Sequence, residues 1–411
     1  MNNETLPIAD SLFTDLVHFD AIRLSSWLGE VEYLETSTEF YDGAHSDIMT
    51  VSTIASVHRS RRYPIAVKSF LWHDSARRRS IPVRIYHPSI RSEENFPVIV
   101  FSHGLGGSVE SCSYLGSAWA SQGFVVVMVQ HPGSDENVWK GKIRILHELQ
   151  ESYRANWSGR TRASDIRFVV DRLERLSIEG HWLASIMDLD RIGAGGYDLG
   201  CLAALLVAGQ LPPDRGSSLH DLRIKAVLAM SPPVNGSSRG FREVYAPITI
   251  PAFFITGTED DGIIGSTKAH QRRIPFDFIR ENDRYLVTLR GADHRVYGGR
   301  ILSVLAKDDK PFQSLISRIS SCFWRATLQE DAQAQATLNG YGLNSMLGSM
   351  AYLERKLQPA EQMTENVRES ETVQEQPMTD EKQTQLPPAP DFPVTRIYRT
   401  ISVSENLRAG L

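Results

Sequence analysis

The stretch "RIGAGGYDLGCLAALL", residues 191–206, passes from a strand-like run through a Gly-rich bend into an apolar helix, with an acid at the apex. Gly196 and Gly200 flank Asp198 in the order G-x-D-x-G. A bend of this shape needs a small residue on each side, because the apex is held in a strained conformation while strand and helix approach closely. In a hydrolase the apex presents the nucleophile, ordinarily a serine. Here it is an aspartate, and the strand–bend–helix order around it implies a sheet of the α/β type.

Outward from this stretch the chain keeps the same rhythm. "PIAVKSFLWHD" (64–74) and "IPVRIYHP" (81–88) read as paired strands, with "ARRRS" (76–80) as a solvated turn between them. "PVIVFSHG" (97–104) and "GFVVVMVQHPG" (123–133) read as buried strands joined by a short helix that ends at Gly123, a β-α-β unit of a parallel sheet. In "SDIRFVVDRLERL", Ser164 is placed as an N-cap, and Ile166, Val169, Val170, Leu173 and Leu176 recur at helical spacing, which gives an amphipathic crossover helix. "IKAVLAMSPP" (224–233), "PAFFITG" (251–257) and "RYLVTLRGADH" (284–294) are three further apolar strands, and helical character returns around 311–356.

The ends of the chain differ from this middle. Residues 1–60 show no sustained apolar period and read as an irregular N-terminal extension; 61–356 read as the α/β domain. From 357 to 411 the composition turns to Gln, Glu, Thr and Pro, which cannot bury enough apolar surface to offset ordering entropy, so a disordered tail is expected.

A net charge of -5 without a long basic block excludes the phosphate-binding surface that a nucleic-acid partner requires. No apolar run approaches the ~18 residues of a membrane span, and the N-terminus has no secretory pattern, so a cytoplasmic protein is expected. Cys112, Cys201 and Cys322 are distant and odd in number, which argues against a disulfide framework; Cys201 reads as small core filler in an apolar helix. No His, Cys and carboxylate cluster has metal-ligand spacing and no dinucleotide or phosphate loop occurs, so neither metal nor cofactor is called for. Oligomeric state is not legible.

In open parallel sheets the reactive groups gather in loops at the carboxyl ends of strands. "HGLGG" (103–107), "GYDLG" (196–200), "TGTEDD" (256–261) and "GADH" (291–294) all follow strands here. An oxyanion hole takes one backbone N–H from the residue after the nucleophile and one from a Gly-rich loop on a neighbouring strand, which points to Leu199 and Leu105. His294 ends a strand, in the order nucleophile, acid, base. The acid that would orient it is Asp260, with Asp261 adjacent as the alternative; Asp293 is too near in the chain to reach its neighbour's ring.

These motifs together resemble the α/β-hydrolase superfamily, and within it the dienelactone-hydrolase-like proteins and the platelet-activating-factor acetylhydrolases. The similarity spans about residues 64–356, through "IPVRIYHP", "PVIVFSHGLGGS", "YLGSAWASQGFVVVMVQHPGSD", "RIKAVLAMSPP", "ITGTEDDGIIG" and "GADHRVYGG". It implies an α/β-hydrolase fold: a mostly parallel central sheet flanked by helices, without a large cap domain. It also implies a hydrolase of a small-molecule ester or lactone, with Asp260 and His294 in a triad and the N–H groups of Leu105 and Leu199 in the oxyanion hole. The departure is at the apex, where relatives carry serine or cysteine and this chain carries Asp198.

An apex aspartate is already ionised at neutral pH, since an unperturbed aspartate titrates at about 3.9. On an ester carbonyl it would form a mixed anhydride, a harder first step than serine makes; on a saturated carbon it would form an ordinary ester that a His-activated water can open. Enzymes of the second kind carry a helical cap, for which the roughly 18 residues at 233–250 leave no room. Two alternatives therefore stand: a hydrolase in which Asp198 is an atypical nucleophile or water-positioning base, and a catalytically impaired relative that binds esters as a ligand-binding or interaction protein.

Overall fold

The computed structural model describes residues 62–90, 95–234, 239–298 and 309–358, together with the backbone of strands at 22–25, 31–41 and 48–58. The tail expected beyond 357 lies, from residue 359 onward, outside the described residues.

The extension carries regular structure that the sequence pattern does not announce. Strands β1 (Ile22–Ser25), β2 (Val31–Tyr41) and β3 (Ile48–His58) form an antiparallel sheet in the order β1-β2-β3. β2 and β3 are rich in Thr, Val, Ile and Tyr, which suit extended backbone, but they lack the clean apolar–polar alternation that marks a strand in sequence.

The main sheet has nine strands: β4 (Ile65–Asp74), β5 (Arg79–Pro88), β6 (Phe96–Ser102), β7 (Val125–Val129), β8 (Met187–Tyr197), β9 (Ile224–Met230), β10 (Ala252–Glu259), β11 (Arg284–Asp293) and β12 (Ala351–Lys356). Their order is β12-β11-β10-β9-β8-β6-β7-β5-β4. The six strands from β11 to β7 run parallel, while β5, β4 and β12 pair antiparallel at the two edges. This is an α/β-hydrolase fold.

Both faces of the central strands are covered, which is why these strands read as unbroken apolar runs. Val98 and Val100 point into one core with the helices Arg160–Ile178 and Leu199–Val207, whereas Ile99 and Phe101 point into the other with Ser113–Ala120 and Lys310–Leu328. The chain turns from β6 one way to β7 and then crosses back to β8, so β6 and β8 are neighbours whose following helices leave toward opposite faces. That reversal opens a crevice at their carboxyl ends, where "HGLGG" and "GYDLG" lie.

Two local readings are amended. The helix at Arg160–Ile178 begins after Gly159, at φ 70°, so Ser164 sits a turn inside it and is not the cap. Its first turns bury Arg162 and Asp165, polar residues that hide the apolar period there. The "ARRRS" turn is likewise not simply solvated. Arg77 and Arg79 reach inward to the fully buried Asp165, at 2.7 and 2.9 Å, because a buried carboxylate must be paired to remain charged.

Between β9 and β10 the described residues include one short helix, Phe241–Tyr245. The wall over the crevice comes instead from the helix Ile145–Asn156, which follows β7. No described helix is long and apolar enough to cross a membrane.

Candidate active site

The bend after β8 has the backbone its glycines suggest. Asp198 adopts φ 53°, ψ -122°, a conformation that side-chain-bearing residues rarely occupy. A Cβ on Gly196 would lie 2.2 Å from the Gly200 carbonyl, and one on Gly200 would lie 2.0 Å from the Ser102 carbonyl oxygen. Both positions therefore require glycine, and the approach they allow packs the helix Leu199–Val207 directly against the end of β6. The Asp198 N–H donates to the Met230 carbonyl at 3.1 Å, which ties the apex to β9 as well.

One carboxylate oxygen of Asp198, Oδ2, accepts the Leu105 N–H at 3.0 Å; the other, Oδ1, lies 3.9 Å from His294 Nε2. Leu199, fully buried, opens the helix immediately after the apex. The side chain at the bend thus takes up the N–H group that would otherwise face a substrate oxygen. A serine-centred G-x-S-x-G spacing does occur once in the chain, from Gly236 to Gly240. It follows Pro232-Pro233, and residues 235–238, Ser238 among them, lie outside the described residues.

His294 Nδ1 lies 2.9 Å from Asp260 Oδ1. Asp261, the alternative acid, is exposed and accepts from Lys268 Nζ at 2.8 Å and the Ala269 N–H at 2.9 Å, contacts that lower its pKa, the Lys268 bond foremost. Asp260 is fully buried and also receives the hydroxyls of Ser231, at 2.8 Å, and Thr256, at 2.9 Å.

Arg272 was not anticipated from sequence. Only 1% exposed, its guanidinium places Nε 3.0 Å from Asp260 Oδ1 and Nη2 3.2 Å from His294 Nδ1, while Nη1 donates to the Ser231 carbonyl at 2.8 Å. Carboxylates lie on both sides of His294, and the Arg272 guanidinium adds a buried cation on the Asp260 side. Arg272 carries no motif, since it lies in "AHQRRIP", a run that reads as surface.

The loop that offers Leu105 rests on a second buried arginine. Arg162 donates to the carbonyls of His103, Gly104 (3.3 Å) and Ser134 (3.0 Å), and its Nε donates to the Ser134 hydroxyl at 2.9 Å. Burial pushes its pKa down to about 10, opposed by the Asp198 carboxylate, so it remains a cation at neutral pH. His103 is fixed in turn: Nε2 accepts the His131 N–H at 3.1 Å, so Nδ1 carries the proton that bonds the Gly104 carbonyl at 2.6 Å. Beneath it His131 links Ser102 Oγ (2.8 Å) to Asp165 (2.9 Å). All three are fully buried, so this Ser-His-Asp chain braces the loop rather than meeting solvent.

Tyr197, beside the apex, donates its hydroxyl to the His294 carbonyl at 2.7 Å, and burial pushes its phenol pKa up. Cys201 is fully buried, with its thiol 2.8 Å from the Met230 carbonyl and its pKa likewise raised by burial; it packs as core and is not a thiolate. Asp198 and His294 face a cavity of about 180 Å³ walled largely by Leu105, Leu146, Leu149, Ile263 and Ile264, with Arg295 at one side.

Residues 68–139, from within β4 through the Leu105 loop and β7, match the family model for platelet-activating factor acetylhydrolase, isoform II. The bovine platelet-activating factor acetylhydrolase is 24% identical over 244 residues, 51% of this chain and 50% of the bovine protein. The chain is thus similar to the platelet-activating-factor acetylhydrolases. This acetylhydrolase-like chain spans about half the length of the curated relative it matches. The family-model match ends before Asp198, Asp260 and His294, so it covers the Leu105 loop and leaves the apex and its partners outside.

Proposed function

We propose that this chain retains the small-molecule site of an esterase-type hydrolase, with Asp198, His294 and Asp260 in the triad positions, and that carboxylic esters or lactones enter it with little turnover. One observation carries the reading: Asp198 Oδ2 accepts the Leu105 N–H at 3.0 Å. Acyl transfer needs that donor for the oxyanion that develops on the substrate carbonyl, and losing one such donor costs on the order of 10²–10³ in rate. Asp198 also replaces the hydroxyl that His294 would deprotonate, and loss of a triad serine costs on the order of 10⁶. What supports retention of the site is the remainder: the His294–Asp260 pair at 2.9 Å, the glycine-dependent bend and an apolar cavity beside them. A cytoplasmic location belongs to the same proposal.

The test is Asp198→Ser assayed with p-nitrophenyl acetate. Serine at φ 53° would place a hydroxyl between the freed Leu105 N–H and His294. Hydrolysis is expected to rise about 10³-fold or more over the wild-type chain. A folded, inert Asp198→Ser variant would overturn the reading, because a bend, base and donor in register should turn over an activated ester.

A further inference from the structure

The cavity presents two hydrogen-bond acceptors side by side. Asp198 Oδ2 is taken up by the Leu105 N–H, while Oδ1 lies 3.9 Å from His294 Nε2, beyond hydrogen-bonding distance. His294 Nδ1 carries the proton that bonds the buried Asp260 carboxylate at 2.9 Å, since a carboxylate only accepts. In the neutral ring Nε2 then keeps a lone pair, beside Oδ1. We propose that these two atoms bind the head of a small primary alkylammonium ion, one N–H to Oδ1 and one to Nε2, with its chain in the apolar cavity. The proposal rests on the reading above, that Asp198 itself takes the Leu105 N–H, and adds a ligand class to it.

The spacing suits a single nitrogen. An ammonium nitrogen about 2.9 Å from each acceptor bridges the 3.9 Å between them with two of its N–H groups, and charge-assisted hydrogen bonds are the stronger kind. Charge points the same way. Arg272 is paired with Asp260 at 3.0 Å and Arg295 with Asp293 at 3.1 Å, and Arg162 gives its hydrogen bonds to the His103, Gly104 and Ser134 carbonyls and the Ser134 hydroxyl. A cationic head therefore meets the Asp198 carboxylate without displacing any of these three. A carboxylate ligand would set like charge against Asp198, and a simple ester brings no N–H or O–H to either acceptor.

The walls set the rest of the ligand. Leu105, Leu149 and Ile264 line the cavity with Leu146 and Ile263, which are 55% and 53% exposed, so a chain held at Asp198 lies against leucine and isoleucine and reaches water at its far end. About 180 Å³ is the room of roughly six waters at about 30 Å³ each, which holds n-butylammonium. Each methylene fully buried there raises affinity about fourfold.

The experiment titrates the full chain, with leucine and isoleucine methyls labelled for NMR, at about pH 7.5, where an alkylamine carries its proton as the lysine side chain does. The probes are n-butylammonium, 1-butanol, which lacks the charge, and N,N,N-trimethylbutylammonium, which keeps the charge and lacks every N–H. n-Butylammonium is expected to shift the Leu149 and Ile264 methyls and to bind about tenfold or more tightly than either control, the factor a hydrogen bond to a charged group supplies. Asp198→Asn is expected to lose the preference over 1-butanol: with its carbonyl oxygen on the Leu105 N–H, its amide turns donors toward the ligand. Equal affinity for n-butylammonium and either control overturns the proposal. So does a preference that survives in folded Asp198→Asn, or no response of the cavity methyls to n-butylammonium, the result a protonated His294 would give. Esterase gain by Asp198→Ser alongside such a result leaves the earlier reading standing; an inert, folded Asp198→Ser alongside it removes both.

Discussion

At the scale of the residue, a single side chain sets the geometry of the proposed site. Serine at the apex would leave the Leu105 N–H open, whereas aspartate is long enough to reach it at 3.0 Å and still present an oxygen toward His294. The second decisive residue is Arg272. Asp260 is fully buried, and its charge is compensated there by a guanidinium that is itself almost wholly enclosed. Removing one partner of such a pair leaves an uncompensated buried charge and costs about 3–5 kcal/mol. Arg272→Leu is therefore expected to lower stability by that amount in urea unfolding monitored by circular dichroism, even though leucine is an acceptable core residue. A midpoint close to wild type would mean that Asp260 is carried by Ser231, Thr256 and His294 alone.

At the scale of the element, the site is a contact between two strand ends. The end of β6 and the first turn of the helix Leu199–Val207 approach so closely that Gly200 has no room for a side chain against the Ser102 and His103 carbonyls. Those obstructing atoms are backbone, which cannot rotate aside as a side chain does. Gly200→Ala is expected to cost about 3 kcal/mol, the upper end for overpacking, and to separate Leu105 from Asp198. Calorimetric unfolding reads the first effect, and loss of the p-nitrophenyl acetate hydrolysis gained by Asp198→Ser, in the Gly200→Ala, Asp198→Ser double variant, reads the second. The bend was legible in sequence because steric exclusion leaves a glycine signature. Arg162, which holds the same loop from below through the His103, Gly104 and Ser134 carbonyls, was not, because one arginine among several in "SGRTRASD" looks like helix surface.

At the scale of the whole molecule, the buried polar layer under the crevice gives the fold a pH signature. Burial, reinforced by Arg162 and Arg79, outweighs the Asp165 hydrogen bond and holds the folded-state pKa of His131 down at about 4. Burial likewise holds His103 well below the ordinary histidine value. The unfolded chain binds a proton at these sites near pH 6.5 and the folded chain refuses it, so stability is complete above about pH 6.5 and falls as pH drops toward 4. His131 alone is expected to lower stability by about 2 kcal/mol between pH 7 and pH 5. Asp165 and Asp74, whose pKa values are lowered in the fold, act in a separate and more acid window, below about pH 4. Urea midpoints at pH 7 and pH 5 check this: equal midpoints would mean that His131 and His103 take up protons without unfolding.

The sequence by itself determined the layered architecture, the bend at Asp198 and the loop at Leu105, because apolar runs of strand length and glycines at steric contacts leave local marks that need no partner to be read. It also put Asp260 forward as the orienting acid, with Asp261 beside it as the alternative. Only the tertiary structure decided between their positions, turning one toward His294 in the core and the other toward Lys268 at the surface. The same holds for Arg162 and Arg272, for the Ile145–Asn156 wall over the cavity, and for the carboxylate oxygen that accepts the Leu105 N–H. Each of these depends on distances between residues tens of positions apart, and charge burial or hydrogen-bond direction at such a meeting point has no periodicity along the chain to announce it.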